Sequence, residues 1–151
     1  MSRTDLVFVC LGNICRSTMA EQVARARTRL AGLQLGIGSA GISDEEHGNP
    51  IDPRAARCLR AHGYEPGEHR AHRITRDELG ARLLVAMETY QVDRLVALGA
   101  AGPVRLLTDF VPGREGTDVP DPWFGGPAGF ESTLEVIEAA MPALLDEAVP
   151  R

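Results

Sequence analysis

An apolar run, Leu6-Val7-Phe8-Val9, breaks off into Cys10-Leu11-Gly12-Asn13-Ile14-Cys15-Arg16-Ser17, and a helix-compatible stretch from Thr18 to Leu30 follows directly. Strand, tight loop and helix in that order, with a cysteine and an arginine bounding five residues, form the C-x5-R pattern of a phosphate cradle. The spacing has a physical reason. The intervening residues, Leu11, Gly12, Asn13, Ile14 and Cys15, can wrap so that successive backbone N–H groups point inward at one anion, backed by the positive end of the following helix. Arg16 closes the ring with a bidentate fork onto two phosphate oxygens. Cys10 then lies beneath the phosphorus in a positive field that favours its thiolate, the nucleophilic form. Gly12 allows close approach of the backbone to the anion. The Cys–Arg pair alone recurs by chance, and a buried cysteine is commonly a small core hydrophobe. The preceding strand, the Gly12-Asn13 pair, Ser17 and the helix beyond make it a candidate site.

Apolar runs suited to buried parallel strands occur at Leu6–Cys10, Leu35–Ala40, Leu83–Met87 and Val104–Leu107. Helical patterns alternate with them. The first runs from Ser17 to about Ala31, with Met19, Val23, Ala26 and Leu30 on one face. A second starts at Asp52-Pro53, with proline at the first helical position, and ends at Gly63. A third lies around Thr75–Ala81, with Thr75, Asp77 and Glu78 as start signals, and a fourth spans Thr89–Leu98, closed by Gly99. The last begins near Gly129 and carries Leu134, Ile137, Met141, Leu144 and Leu145 on one stripe, where Pro142 predicts a kink or a break. The alternation predicts an α/β fold: one doubly wound domain over residues 1–151, a four-stranded parallel sheet with helices on both faces and the phosphate loop after the first strand. Ligands of such sheets sit at the carboxyl ends of the strands, where Cys10 falls.

Composition narrows the function. A net charge of −5 disfavours nucleic acid and anionic membrane as partners, while leaving room for a local positive pocket. No apolar run approaches bilayer length, and the four-residue run after Arg3 is too short for a signal-peptide core. Three cysteines, an odd number, do not make a disulfide framework, so a reducing cytoplasm is the expected location.

Between the fourth strand and the last helix lies Asp118-Val119-Pro120-Asp121-Pro122-Trp123-Phe124-Gly125-Gly126, by composition a surface loop. A cysteine that accepts a phosphoryl group needs an acid to protonate the leaving oxygen and a base for the water that later frees phosphate. A carboxyl group on a loop over the mouth of the cradle can serve as both. The residues by themselves leave Asp118 and Asp121 open for that role.

The stretch VCLGNICRS, followed by Met19-Ala20-Glu21, resembles the N-terminal loop of the low-molecular-weight protein tyrosine phosphatases. The likeness continues through Ser39-Ala40-Gly41, Asp52-Pro53-Arg54-Ala55, Cys58-Leu59-Arg60, His62-Gly63, His69-Arg70-Ala71 and Ile74-Thr75, and includes Asp121-Pro122 followed by two aromatics. The resemblance implies hydrolysis of phosphotyrosine in proteins through a cysteinyl-phosphate, with Cys10 as nucleophile, Arg16 as clamp and Asp121 as acid. It implies that Trp123 and Phe124 flank the phenyl ring, and that Ser39 and His69 join Asn13 in holding the loop, His72 being a neighbour easily confused with His69. Ser17 can hydrogen-bond the thiolate. Cys15, by the same resemblance, forms a reversible disulfide with Cys10 that protects it from over-oxidation. No metal, no cofactor, and a monomer or weak dimer are expected.

Some positions depart from the family pattern. Thr18 stands where most members have proline, Glu88 where many have aspartate, and Trp123 and Phe124 where many have phosphorylatable tyrosines. Glu45 occupies the position of a large aromatic pocket wall, and an acidic wall there would favour basic flanks over acidic ones. Competing readings share the loop. Bacterial protein-arginine phosphatases resemble the chain around Leu107–Gly113, but carry threonine at the position of Ile14, and an apolar side chain there favours phenyl over guanidinium. Arsenate reductases need two later cysteines, whereas the chain offers only Cys58. A non-catalytic anion-binding module would need no acid.

Overall fold

The four apolar runs pair into one all-parallel sheet in the computed structural model, which describes residues 4–150. The strands are β1 (Leu6–Cys10), β2 (Ile37–Gly41), β3 (Leu83–Ala86) and β4 (Val104–Leu106), in the order β2-β1-β3-β4. The register sets Cys10 beside Gly41 and Val9 beside Ala86. Since β1 lies between β2 and β3, the chain leaves it in opposite directions on its two sides, and a crevice opens beyond the ends of β1 and β3.

Alternation along each strand divides the core. Leu6, Phe8 and Cys10, with Leu83, Val85 and Met87, pack toward α1 (Arg16–Ala31), α2 (Pro53–Ala61) and α5 (Pro127–Ala148). Val7, Val9, Leu84 and Ala86 pack on the opposite face against Leu95 of α4 (Thr89–Ala97) and Leu79 of the short α3 (Arg76–Leu79). Strands covered on both faces read as unbroken apolar runs, which is why the sequence revealed them. No helix among the described residues is long and apolar enough to cross a membrane.

Local chemistry fixes the helix ends. Asp52 caps α2 by accepting from Arg54 N at 2.8 Å, ahead of Pro53. Thr75 and Glu78 form a reciprocal capping box at α3. One expectation fails, and of the kink or break expected at Pro142 the break does not occur. Leu30 is 86% exposed, because the buried face of the last turns of α1 runs through Ala24 and Thr28 instead. Thr28 tolerates burial by donating its hydroxyl to Arg25 O. Pro142 does not break α5, which is continuous from Pro127 to Ala148. The proline is exposed, whereas Ile137, Met141 and Leu144 around it are fully buried, so packing on that face carries the helix past the missing N–H.

Two glycines admit backbone where a side chain would not fit. A Cβ at Gly41 would meet Leu11 O at 2.9 Å and Ser43 O at 3.0 Å, and one at Gly102 would meet Arg82 O at 2.6 Å. Gly41→Ala and Gly102→Ala are each expected to lower stability by about 1–3 kcal/mol in denaturant titrations. Only Gly41→Ala is expected to weaken phosphate binding as well, since it displaces Leu11 in the Cys10–Arg16 loop.

Candidate active site

Cys10 ends β1 and Arg16 begins α1, so five residues make the turn between them. Asn13 takes the left-handed conformation, φ 63°, which a short polar side chain tolerates best after glycine. The carbonyls of the loop are tied outward: Cys10 O accepts from Ile42 N at 2.9 Å, Leu11 O from Ser43 N at 3.0 Å, and Ile14 O from Asp52 N at 2.9 Å. Asn13 O faces His69 Nε2 at 2.6 Å, which donates to it. With the carbonyls held outside, the N–H groups of residues 12–15 have no acceptor among the described residues, and a nest of such amides binds an anion.

The side chain of Asn13 locks this turn. Its Nδ2 donates to Ser17 Oγ at 2.9 Å and to Ser39 Oγ at 3.0 Å, while its Oδ1 accepts from His72 N at 3.2 Å. Ser39 passes its own proton to Glu21 Oε1 at 2.6 Å, and Arg25 pairs with the other oxygen of Glu21. Ser17 Oγ accepts from Asn13 and from the Cys10 thiol, 3.0 Å away, which leaves it placed to turn its hydroxyl proton to the sulfur once Cys10 is a thiolate. His69 and His72 thus both reach Asn13, one through the ring and the other through the backbone.

Arg16 is 2% exposed. Its Nη1 donates to Glu88 Oε2 at 2.8 Å and to Val119 O at 2.7 Å, and its Nη2 lies 3.7 Å from Asp121 Oδ2. Burial opposes the charge, but Cys10, Glu88 and Asp121 outweigh it and raise the pKa of the guanidinium. Gln91 orients Glu88 by donating to the same Oε2 at 3.3 Å, while its own Oε1 accepts from the Met87 and Glu88 amides. Burial, reinforced by Asp52, pushes the Cys15 thiol well above its ordinary range, so it remains protonated.

The structure separates the two candidate acids. Asp121 caps a 3-10 turn, Pro122–Phe124, by accepting from Trp123 N at 3.0 Å, and its carboxyl faces the cleft. Asp118 accepts from Thr89 N at 2.8 Å at the start of α4 and does not line the cleft. The cleft has a volume of about 330 Å³ and is lined by Cys10, Ile14, Glu45, Asp121, Trp123 and Phe124 among others. Phe124 is 89% exposed, so it stands at the rim.

Several contributors escaped sequence reasoning. Glu46 lines the cleft beside Glu45. Glu88 appeared only as a conservative replacement, yet it holds the buried arginine. Arg54 stacks 5.0 Å from the Trp123 ring and 4.9 Å from the Phe130 ring, donates to Trp123 O at 3.1 Å, and pairs with Asp52 at 2.9 Å. Its place in Asp52-Pro53-Arg54-Ala55 indicated a helix start and a family likeness, but no role at the cleft. Thr18, in the position of the usual proline, has a buried hydroxyl without a partner among the described residues.

Burial alone would raise the Asp52 pKa, but the hydrogen bonds and charge of Arg54 hold it below the usual carboxylate range. A depressed carboxyl contributes stability that is fully present above its unfolded value, about 3.9, and is lost as pH falls through the folded value. Asp52→Asn is therefore expected to be destabilised relative to the wild type at pH 7, with the difference shrinking below about pH 4 in denaturation curves.

Comparison with known proteins places the whole fold among known relatives. Residues 5–151 match the family described as low molecular weight phosphotyrosine protein phosphatase. The low molecular weight protein-tyrosine phosphatase A of Mycobacterium tuberculosis is 44% identical over 147 residues, covering 93% of this chain and 89% of that protein. The crystal structure of YfkJ from Bacillus subtilis superposes with a TM-score of 0.84 at 30% identity, covering 97% of this chain and 95% of the other. A Drosophila arginine phosphatase superposes with a TM-score of 0.88 over 95% of this chain and 97% of the other; at 24% identity, that likeness speaks for the fold alone.

Proposed function

The chain belongs to the low molecular weight phosphotyrosine protein phosphatase family, and from that premise we propose that Cys10, Arg16 and Asp121 carry out its protein-tyrosine-phosphate hydrolysis through a cysteinyl-phosphate intermediate. Cys10 Sγ attacks phosphorus in line, forming the S–P bond as the P–O bond to the phenol breaks. The equatorial oxygens bear the charge, and the loop amides with Arg16 stabilise it without having to reorganise. Because Glu88 and Val119 O occupy Nη1, the guanidinium keeps Nε and Nη2 for two phosphate oxygens. Asp121 protonates the departing phenolate, then takes a proton from the water that attacks phosphorus and releases the Cys10 thiolate. The hydroxyl of Ser17 stabilises that thiolate as it leaves. The observation supporting this reading most directly is the convergence on one cleft of Cys10, Arg16 and Asp121.

The same proposal gives Ile14, Trp123 and Phe124 the phenyl ring, and assigns Cys15 a protective role. A sulfenic acid on Cys10 condenses with the Cys15 thiol to a disulfide, and its hydroxyl leaves with the Cys15 proton as water. It also takes the protein to be cytoplasmic and a monomer or weak dimer, in keeping with cysteines that are all unpaired.

Asp121→Asn is expected to lower kcat by roughly a hundred-fold or more while leaving vanadate and phosphate affinity nearly intact. An equal loss of anion affinity would remove the acid role from Asp121. Carboxylates at Glu45 and Glu46 would suit a guanidinium, which makes phosphoarginine the competing substrate. Matched phosphotyrosine and phosphoarginine peptides should show a phosphotyrosine preference that weakens in Ile14→Thr. A wild-type preference for phosphoarginine would transfer the chain to that activity.

A further inference from the structure

On the side of α2 turned toward α5, a thiol, an imidazole and a carboxylate converge. The Sγ of Cys58, a ring nitrogen of His62 and a carboxylate oxygen of Glu131 all lie within 4.8 Å of one another. Cys58 and His62 are four residues apart, a spacing that stacks two side chains on one helical face, and Glu131 comes from the first turns of α5. The thiol is nearly buried at 7% exposure, whereas His62 and Glu131 are 41% and 51% exposed and leave the approach open. None of the three lines the phosphate cleft, and phosphoryl transfer assigns them no task.

We propose that Cys58, His62 and Glu131 form a binding site for Zn²⁺, with water as the fourth ligand. Sulfur, imidazole nitrogen and carboxylate oxygen are the donors this borderline-soft cation prefers, and four-coordinate zinc with three protein ligands is an ordinary arrangement. Bonds of about 2.0–2.3 Å at tetrahedral angles hold ligand atoms roughly 3.3–3.8 Å apart, inside the observed spread. His62 Nε2 and Glu131 Oε2, 2.6 Å apart, must open by about 0.7 Å, which two exposed side chains can do. On binding, Cys58 releases its thiol proton to solvent, the proton shared between His62 Nε2 and Glu131 Oε2 leaves to solvent while Nδ1 carries the ring's remaining N–H, and that hydrogen bond is exchanged for two metal–ligand bonds. Burial and the facing Glu131 push the free thiol up to about 11, a pattern that a cation between them reverses.

The metal would staple the end of α2 to the beginning of α5. Phe130, next to Glu131, carries the guanidinium of Arg54 that stacks on Trp123, and a Cβ at Gly129 would touch Pro122. The stretch of α5 held by the metal is thus the one on which the Asp121 turn rests. This site stands independently of the catalytic assignment.

The test uses the full chain carrying Cys10→Ser and Cys15→Ser, in which Cys58 is the remaining cysteine of three. Titration with Co²⁺ should saturate at one equivalent, with a thiolate-to-cobalt charge-transfer band and the intense visible bands of four-coordinate cobalt, and Zn²⁺ should displace it. His62→Ala and Glu131→Ala, at exposed positions that the fold tolerates, should each weaken binding by at least roughly ten-fold. Zn²⁺ at a hundred times Kd should raise Tm by roughly 5–10 °C. Saturation without the charge-transfer band, no saturable binding, or an affinity in either alanine variant equal to that of the parent would overturn the site.

Discussion

A guanidinium removed from water must be met by negative partners, and the burial of Arg16 organises the catalytic end of this protein. Two segments distant in sequence supply three of them: Glu88 after β3, and Val119 O and Asp121 on the late loop. Each contact also positions a functional element. Glu88 turns the arginine, Val119 brings the late loop across the crevice, and Asp121 is left with its carboxyl near the guanidinium charge. The crevice itself exists because β1 lies inside the sheet, between strands reached in opposite directions.

The phosphate loop depends on a complementary constraint. A turn that directs its amides inward must dispose of its carbonyls elsewhere, and here neighbouring segments take them: Ile42 and Ser43 after β2, Asp52 before α2, and His69. The left-handed Asn13 completes the turn, and its side chain reaches Ser17, Ser39 and the His72 amide together. Glu21 and Arg25 extend the network onto the exposed face of α1, so the loop is braced from behind by satisfied polar groups rather than by apolar packing alone. The proposed zinc staple would act at the other end of α2, on the part of α5 that supports the acid-bearing turn.

Local and periodic features were legible in the chain. The strands were readable because burial on both faces demands continuous apolar residues, and the start of α2 because Asp52 and Pro53 solve a purely local hydrogen-bonding problem. The errors came where periodicity was read without knowing what each face would meet. Leu30 continues an apolar stripe into solvent, and Pro142 breaks a local rule that buried neighbours on α5 override. Glu46 carried no motif, and Arg54 lay in a segment of family likeness that gave it no role; their proximity to the cleft arises from segments that meet only after folding.

By itself, the sequence determined the α/β alternation, the candidate cradle of Cys10 and Arg16, and the chemistry their spacing allows, because a C-x5-R turn between strand and helix is built from neighbours in the chain. The choice between Asp118 and Asp121 belonged to the tertiary structure. Two carboxyls three residues apart are equivalent in sequence, yet one caps α4 and the other faces Arg16. The same holds for Glu88, Arg54 and the meeting of Cys58, His62 and Glu131. Hydrogen bonds and ion pairs act over a few ångströms, and only folding brings such distant positions within that range.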